Sequence, residues 1–321
     1  MKSAVASRRL DRYAVLGYLQ RYGVLVIIAL LMAFMAIVSD SFLTPRNLLN
    51  ILNQSTPLAL IASALTLVII GGGFDLSTGS MFGVAAVSSA WLAVHVDPFV
   101  GLAVAPLIGL ALGLVNGAII TGFRVHSFLA TLATSLVFRG MAVIASGGFL
   151  IPVRMDAFTW LGRGRIGAVN VAVVVLVLFV AAMMFLLNRT TFGRRVYAIG
   201  GNEEAAILSG VRVNAVKIGT FALTGFAAGL ASAIATSRIS MGQPQAGAGM
   251  ELEAIAAVIL GGTSIYGGRG AVWRSVAGVL LLSLIGNAFN ILNVNPFFKD
   301  LTTGLIIVGA VAISAVGKRR R

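Results

Sequence analysis

Residues 169–187 read VNVAVVVLVLFVAAMMFLL, a run without a charged side chain. About twenty such residues, wound as a helix, cross the hydrocarbon of a bilayer. A helix on the surface of a soluble protein keeps one face polar, and here no face is. The rest of the chain repeats the pattern. Of its 321 residues 58% are hydrophobic and 11% charged, and the mean hydropathy is +0.98, beyond what a soluble core requires. Further apolar runs cover 22–38, 57–70, 80–96, 99–121, 127–146, 215–237, 251–260, 272–292 and 301–316.

The run 251–260 is too short to cross alone and reads as a partial or re-entrant helix. Charge decides the count. With ten alternating spans and a cytoplasmic N-terminus, seventeen Lys and Arg residues fall inside and six outside, with Arg139 within a span. Omitting the short run would place the basic residues 318–321 outside, against the positive-inside rule. The expected fold is an all-α integral membrane protein of about ten transmembrane helices, some broken or short, with N- and C-termini cytoplasmic. One membrane domain fills 1–321, with a basic leader at 1–21 ahead of a retained first span, a polar cytoplasmic loop at 188–214 and a basic tail at 317–321.

Composition also excludes function classes. The net charge of +14 fits attraction to the anionic lipid of an inner leaflet, and no basic patch interleaved with aromatics points to nucleic acid. There is no cysteine, hence no disulfide or thiol chemistry. His95 and His126 lie in different loops, and neither H-E-x-x-H nor G-x-S-x-G occurs, so no catalytic residue and no metal site is expected. A phosphate loop is missing as well; if ATP drives this protein, a separate subunit binds it.

Residues 200–212, GGNEEAAILSGVR, stand out as a polar helix-and-turn between apolar runs, flanked by Arg189, Arg194, Arg195 and Lys217. A short helix closed by Gly210 has the form of a handle offered to an aqueous partner. Within the spans, Gly109, Gly113 and Gly117 repeat at four-residue spacing, as do Gly225 and Gly229, a pattern for close helix approach.

Two interruptions point to a pathway. Residues 71–80, GGGFDLSTGS, put Asp75 where a helix N-cap is expected, and an aspartate at membrane depth must face protein or a wet cavity. Residues 243–253, QPQAGAGMELE, put Glu251 and Glu253 in a first helical turn, where the dipole favours them, and GGTS follows at 261–264. Both interruptions set an apolar run before a double glycine and then hydroxyl residues, a similarity that an internal repeat such as transporters often contain would produce, and that chance would also give. Broken helices at depth border protein or a water-filled cavity, so Asp75, Asn116, Arg139, Glu251 and Glu253 are candidates for a translocation path or its gates. Arg139 can also snorkel or pair with a carbonyl, and Asn116 can bond across helices.

Residues 204–206 (EAA) followed by Gly210 resemble the coupling-loop signature of permease subunits of bacterial ATP-binding-cassette importers. Residues 42–52 (FLTPRNLLNIL), 72–80 (GGFDLSTGS), 116–117 (NG), 127–132 (SFLATL), 251–264 (ELEAIAAVILGGTS) and 267–270 (GGRG) are similar, in order, to the ribose, xylose and galactose type of sugar permease. The chain departs from those patterns in lacking isoleucine-x-leucine-proline after Gly210, in His126 where relatives commonly have proline, and in Trp273-Arg274 after the glycine-rich turn. The resemblance implies a permease of the bacterial cytoplasmic membrane that forms a homodimer or heterodimer with a second permease. It would receive sugar from an extracytoplasmic binding protein and be switched by two ATPase subunits that bind ATP. Glu203, Glu204, Ala205, Ala206 and Gly210 would form the ATPase-coupling element. The alternatives are an ion-coupled secondary transporter, a permease for another small polar solute, and a membrane enzyme.

Overall fold

The computed structural model describes residues 22–295 together with 298, 301, 302, 304, 305, 308 and 309. The leader 1–21, the tail 317–321 and most of the run 301–316 lie outside the described residues. The chain is a bundle of helices: α1 (Tyr22–Val38), then α2 (Pro45–Ile70), α3 (Thr78–His95), α4 (Pro98–Gly122), α5 (Ser127–Ser146), α6 (Asp156–Arg163), α7 (Val171–Arg189), α8 (Thr191–Gly201), α9 (Glu203–Leu208), α10 (Val213–Ile239), α11 (Met250–Leu260) and α12 (Val272–Ile291). Six of these, α2, α4, α5, α7, α10 and α12, are long and apolar enough to cross a membrane.

The apolar runs from 22 to 292 become helices as expected, and the differences have local causes. α2 does not start at Pro57 but twelve residues earlier, where Thr44 caps it by accepting from Asn47 N–H and Pro45 takes the first turn. Proline at that position has no amide to leave unsatisfied. An internal proline strips a carbonyl one turn back of its partner; for Pro57 this is Asn53 O, which accepts from Arg238 Nη1 instead. α4 begins in the same way, with Asp97 Oδ1 accepting from Phe99 and Val100 N–H and Pro98 following. The helical fold also carries four two-residue strands that the apolar pattern does not reveal, β1 (Ile151–Pro152), β2 (Arg165–Ile166), β3 (Val169–Asn170) and β4 (Met241–Gly242). They pair antiparallel as β1 with β4 and β2 with β3.

α2 is the axis of the bundle, buried from Ser55 to Ile70 and packed against α7, α10, α11 and α12. α4 crosses α10 along the glycine series. A Cβ on Gly109 or Gly113 would strike the carbonyl oxygen of Gly225 or Phe221, and one on Gly229 would strike Ala105 O. The stripe is thus a close-packing seam of backbone on backbone. The outward faces of α5 and α7 carry exposed Leu136, Val137, Ile144, Val177, Leu178 and Phe185, an apolar surface suited to lipid tails.

The connections sort to two ends. At one end Gly268 N–H donates to Ile70 O (2.8 Å), Tyr197 Oη to Gly270 O (2.9 Å) and Phe74 N–H to Ser127 Oγ (3.0 Å). At the other, Val153 N–H donates to Ser240 O (2.9 Å) and Gly162 N–H to Ser237 Oγ (2.8 Å), so that α6 caps the end of α10.

Candidate functional site

The first site is a buried polar junction. Ser77 holds the N-cap of α3 without a side-chain cap bond, while Asp75 lies two residues ahead. Asp75 Oδ1 accepts from Ser77 N–H (3.0 Å) and from Ser77 Oγ (2.6 Å). Asp75 is therefore an Asx turn leading into the helix rather than its cap. Asn116 Nδ2 of α4 donates to Ser77 Oγ (2.7 Å), and both Asp75 and Asn116 are fully buried.

Glu251 reaches the same place from α11. A Cβ on Gly79 would collide with Glu251 Oε2 and Gly247 O, so the absence of a side chain at Gly79 lets the carboxylate pack against the α3 backbone. Arg139 of α5 donates through Nη1 to Pro244 O (2.8 Å) and Ala246 O (3.2 Å), fastening the segment ahead of α11. Asp75, Asn116, Arg139 and Glu251 thus gather where α3, α4, α5 and α11 meet. Glu253 stands two residues past Glu251 in the same first turn. Sequence reasoning misses Ser77, since only contact between elements far apart in the chain makes it the link between Asp75 and Asn116.

The double-glycine interruptions end α2 and α11 alike. Gly72 (φ +83°) and Gly262 (φ +80°) donate to Ile69 O and Ile259 O, while Gly73 and Thr263 donate to Val68 O and Val258 O, the Schellman closure. α5 and α9 close with the same pair of bonds, at Gly147 and Gly210, so the closure does not single out the two interruptions as a repeat.

The second site is α9. Asn202 caps it by accepting from Ala205 N–H (3.0 Å), and Gly210 (φ +78°) closes it in the left-handed region that favours glycine. Ala206 is buried against the bundle, whereas Ile207 and Leu208 are exposed, Leu208 at 89%. Glu203 forms a two-pronged ion pair with Lys217 of α10 (2.7 and 2.8 Å). α8 is absent from the reading of the sequence, although its signal is present in Thr190, which accepts from Gly193 N–H, and in buried Val196 and Ile199 three residues apart. Between α8, α9 and the bundle lies a cavity of about 220 Å³ lined by Gly71 to Gly73, His126, Ser127, Glu203, Lys217, Thr220 and apolar side chains. His126 takes the place expected for proline and caps α5, its Nδ1 accepting from Phe128 N–H (3.3 Å).

Comparison with known proteins places this bundle. A family model described as the permease component of branched-chain amino acid transport systems matches residues 47–311. The chain belongs to that permease family. The ribose import permease of Escherichia coli is 37% identical over 307 residues, covering 94% of this chain and 96% of the relative. The ribose import permease of Bacillus subtilis is 40% identical, covering 92% and 93%, and the L-arabinose ABC transporter permease of Azospirillum brasilense is 34% identical, covering 99% and 94%. No solved structure matches the chain. This permease is a multi-pass protein of the cytoplasmic membrane, and its role is transport rather than catalysis.

Proposed function

We infer that this permease is the membrane subunit of an ATP-binding-cassette importer that carries a monosaccharide of the ribose, arabinose or xylose kind into the cell. The observation that carries the reading is the near full-length similarity to ribose and arabinose permeases. ATP is bound by separate ATPase subunits, sugar arrives on an extracytoplasmic binding protein, and the permease works as a homodimer or heterodimer.

The topology is ten spans with both termini cytoplasmic. It counts α1, α3, α11 and the run 301–316 beside the six long helices, with the end bearing α8 and α9 facing the cytoplasm. α9 is the coupling element. Glu203, Glu204 and Ala205 lie on its exposed side, Ile207 and Leu208 offer an apolar tip to an ATPase cleft, Ala206 seats it on the bundle, and Gly210 sets its exit. ATPase closure then displaces α9 and, through the Glu203–Lys217 pair, the attached α10, a rigid-body switch between outward- and inward-open states. The junction of Asp75, Asn116, Arg139 and Glu251, with Glu253 in the same first turn as Glu251, acts as a gate that opens when α3 and α11 part.

The reading is tested by purifying the permease with its neighbouring ATPase and assaying hydrolysis in proteoliposomes. Stimulation by sugar-loaded binding protein is the expected result. Uptake that persists without any ATPase and follows an ion gradient would overturn it in favour of a secondary transporter.

A further inference from the structure

The α3–α11 junction has more acceptors than donors. Asp75 Oδ2, Thr78 Oγ1, Asn116 Oδ1 and Glu251 Oε2 are buried and meet no hydrogen-bond partner among the described residues; Asp75, Thr78 and Asn116 are 0% exposed. Such groups are rare in folded proteins, and several from one cluster require a common cause. The amide of Asn116 has only one usable orientation. The Ser77 hydroxyl proton is directed at Asp75 Oδ1, 2.6 Å away, and a carboxylate only accepts. Ser77 Oγ can therefore only accept from Asn116, so the amide presents its NH₂ there and turns its oxygen the other way.

Charge sharpens the point. Glu251 Oε2 packs against the α3 backbone at Gly79, and Asp75 and Glu251 both stand at helix N-termini, of α3 and α11, where the dipole favours ionised carboxylates. Arg139 is the cation of this junction, and its Nη1 donates to the carbonyls of Pro244 and Ala246. Two carboxylates and one guanidinium leave the junction with one formal negative charge. Its remaining ligating atoms are hard, neutral oxygens of a hydroxyl and an amide, the donor set of an alkali or alkaline-earth ion. Among the described residues no group of three or more His, Cys, Asp or Glu side chains could hold a metal ion. One formal negative charge balances a monovalent ion, whereas a divalent ion would leave an uncompensated positive charge buried here.

We propose that the junction of Asp75, Thr78, Asn116 and Glu251 binds one monovalent alkali cation, of the sodium or potassium class, which ties the start of α3 to α4 and α11. The ion supplies the positive partner that the four oxygens lack; on the reading of this junction as a gate, it holds α3 and α11 together while the gate is shut and is not cargo.

A ligand held only by the folded state raises its stability with concentration. The test is thermal unfolding of the full chain in nanodiscs, at constant ionic strength and pH, with sodium or potassium chloride replacing N-methyl-D-glucamine chloride. Equilibrium binding of radiosodium to the same sample accompanies it. A saturable rise in Tm and one retained ion per chain are expected. Asp75→Asn abolishes both, and Asn116→Ala raises the half-saturating concentration by about tenfold, the loss of one ligand contact. If Asp75→Asn does not fold, the wild-type binding and Asn116→Ala decide. Equal Tm in all three salts with no retained sodium overturns the proposal. A Tm that follows pH but not the cation also overturns it, and assigns a proton shared by the two carboxylates instead.

Discussion

Arg238 donates through Nη1 to Asn53 O at 3.0 Å, the carbonyl that Pro57 leaves without its helical partner. α2 and α10 are thus joined by a bond that exists because one of them carries a proline. Arg238→Ala strands a partly buried carbonyl and should cost about 1 to 3 kcal/mol. Pro57→Ala restores an amide one turn on from Asn53, so in that background Arg238→Ala should cost measurably less. Thermal unfolding of the two single variants and the double variant, read as a cycle, checks this; equal costs in both backgrounds would show that Arg238 acts through packing alone.

The glycine seam makes a prediction with its own control. Gly225→Ala places a Cβ against Gly109 O, and forcing α4 and α10 apart should destabilise by about 1 to 3 kcal/mol or more, with reduced membrane abundance. At Gly122, in the last turn of α4, an added Cβ would have nothing within 4 Å. Gly122→Ala should leave abundance and Tm unchanged, which separates contact from helix propensity.

At Gly210 nothing lies within 4 Å of an added Cβ, so only backbone conformation is at stake. Valine in the left-handed region costs about 1 to 2 kcal/mol, while asparagine visits it readily. Gly210→Val should insert normally yet bind its ATPase weakly and lose most uptake, and Gly210→Asn should keep both. Glu203→Gln should change Tm little, because the partly exposed pair with Lys217 is worth about 1 kcal/mol or less. ATPase co-purification and sugar uptake, measured together, decide.

The cysteine-free chain permits a direct test of sidedness. Ser209→Cys should react with membrane-impermeant thiol reagents only from the cytoplasmic face, and Thr159→Cys only from outside. Labelling of Ser209→Cys in intact cells would invert the topology.

The spans are legible in the sequence because the bilayer acts on composition, residue by residue, over long stretches. Pro57 misleads for the opposite reason. A proline's effect on a helix depends on whether a distant group takes up the freed carbonyl, and Arg238 is 181 positions away. The short helix at Glu203 and the left-handed Gly210 follow from local rules of capping and glycine conformation, which need no tertiary contact. The cap expected at Asp75 lies two residues on, at Ser77, since an Asx turn and an N-cap use the same side chain on the same kind of amide. That Asp75, Asn116 and Glu251 share one junction lies beyond any local pattern, as each comes from a different helix or its approach.

Where α4 lies on α10, carbonyl oxygens face α-carbons with almost no side chain between them. Side-chain interfaces can slip by changing rotamers, but this one has almost none to change. The two helices therefore behave as a single plank. Any hinge that lets the bundle rock must be placed off that plank, and the glycine-bearing links at 71–77, 240–249 and 261–270 are among the joints free to bend. A sugar crossing this protein would then pass a moving edge beside a stiff board, and replacements that loosen the seam would blunt the stroke before they unfold the molecule.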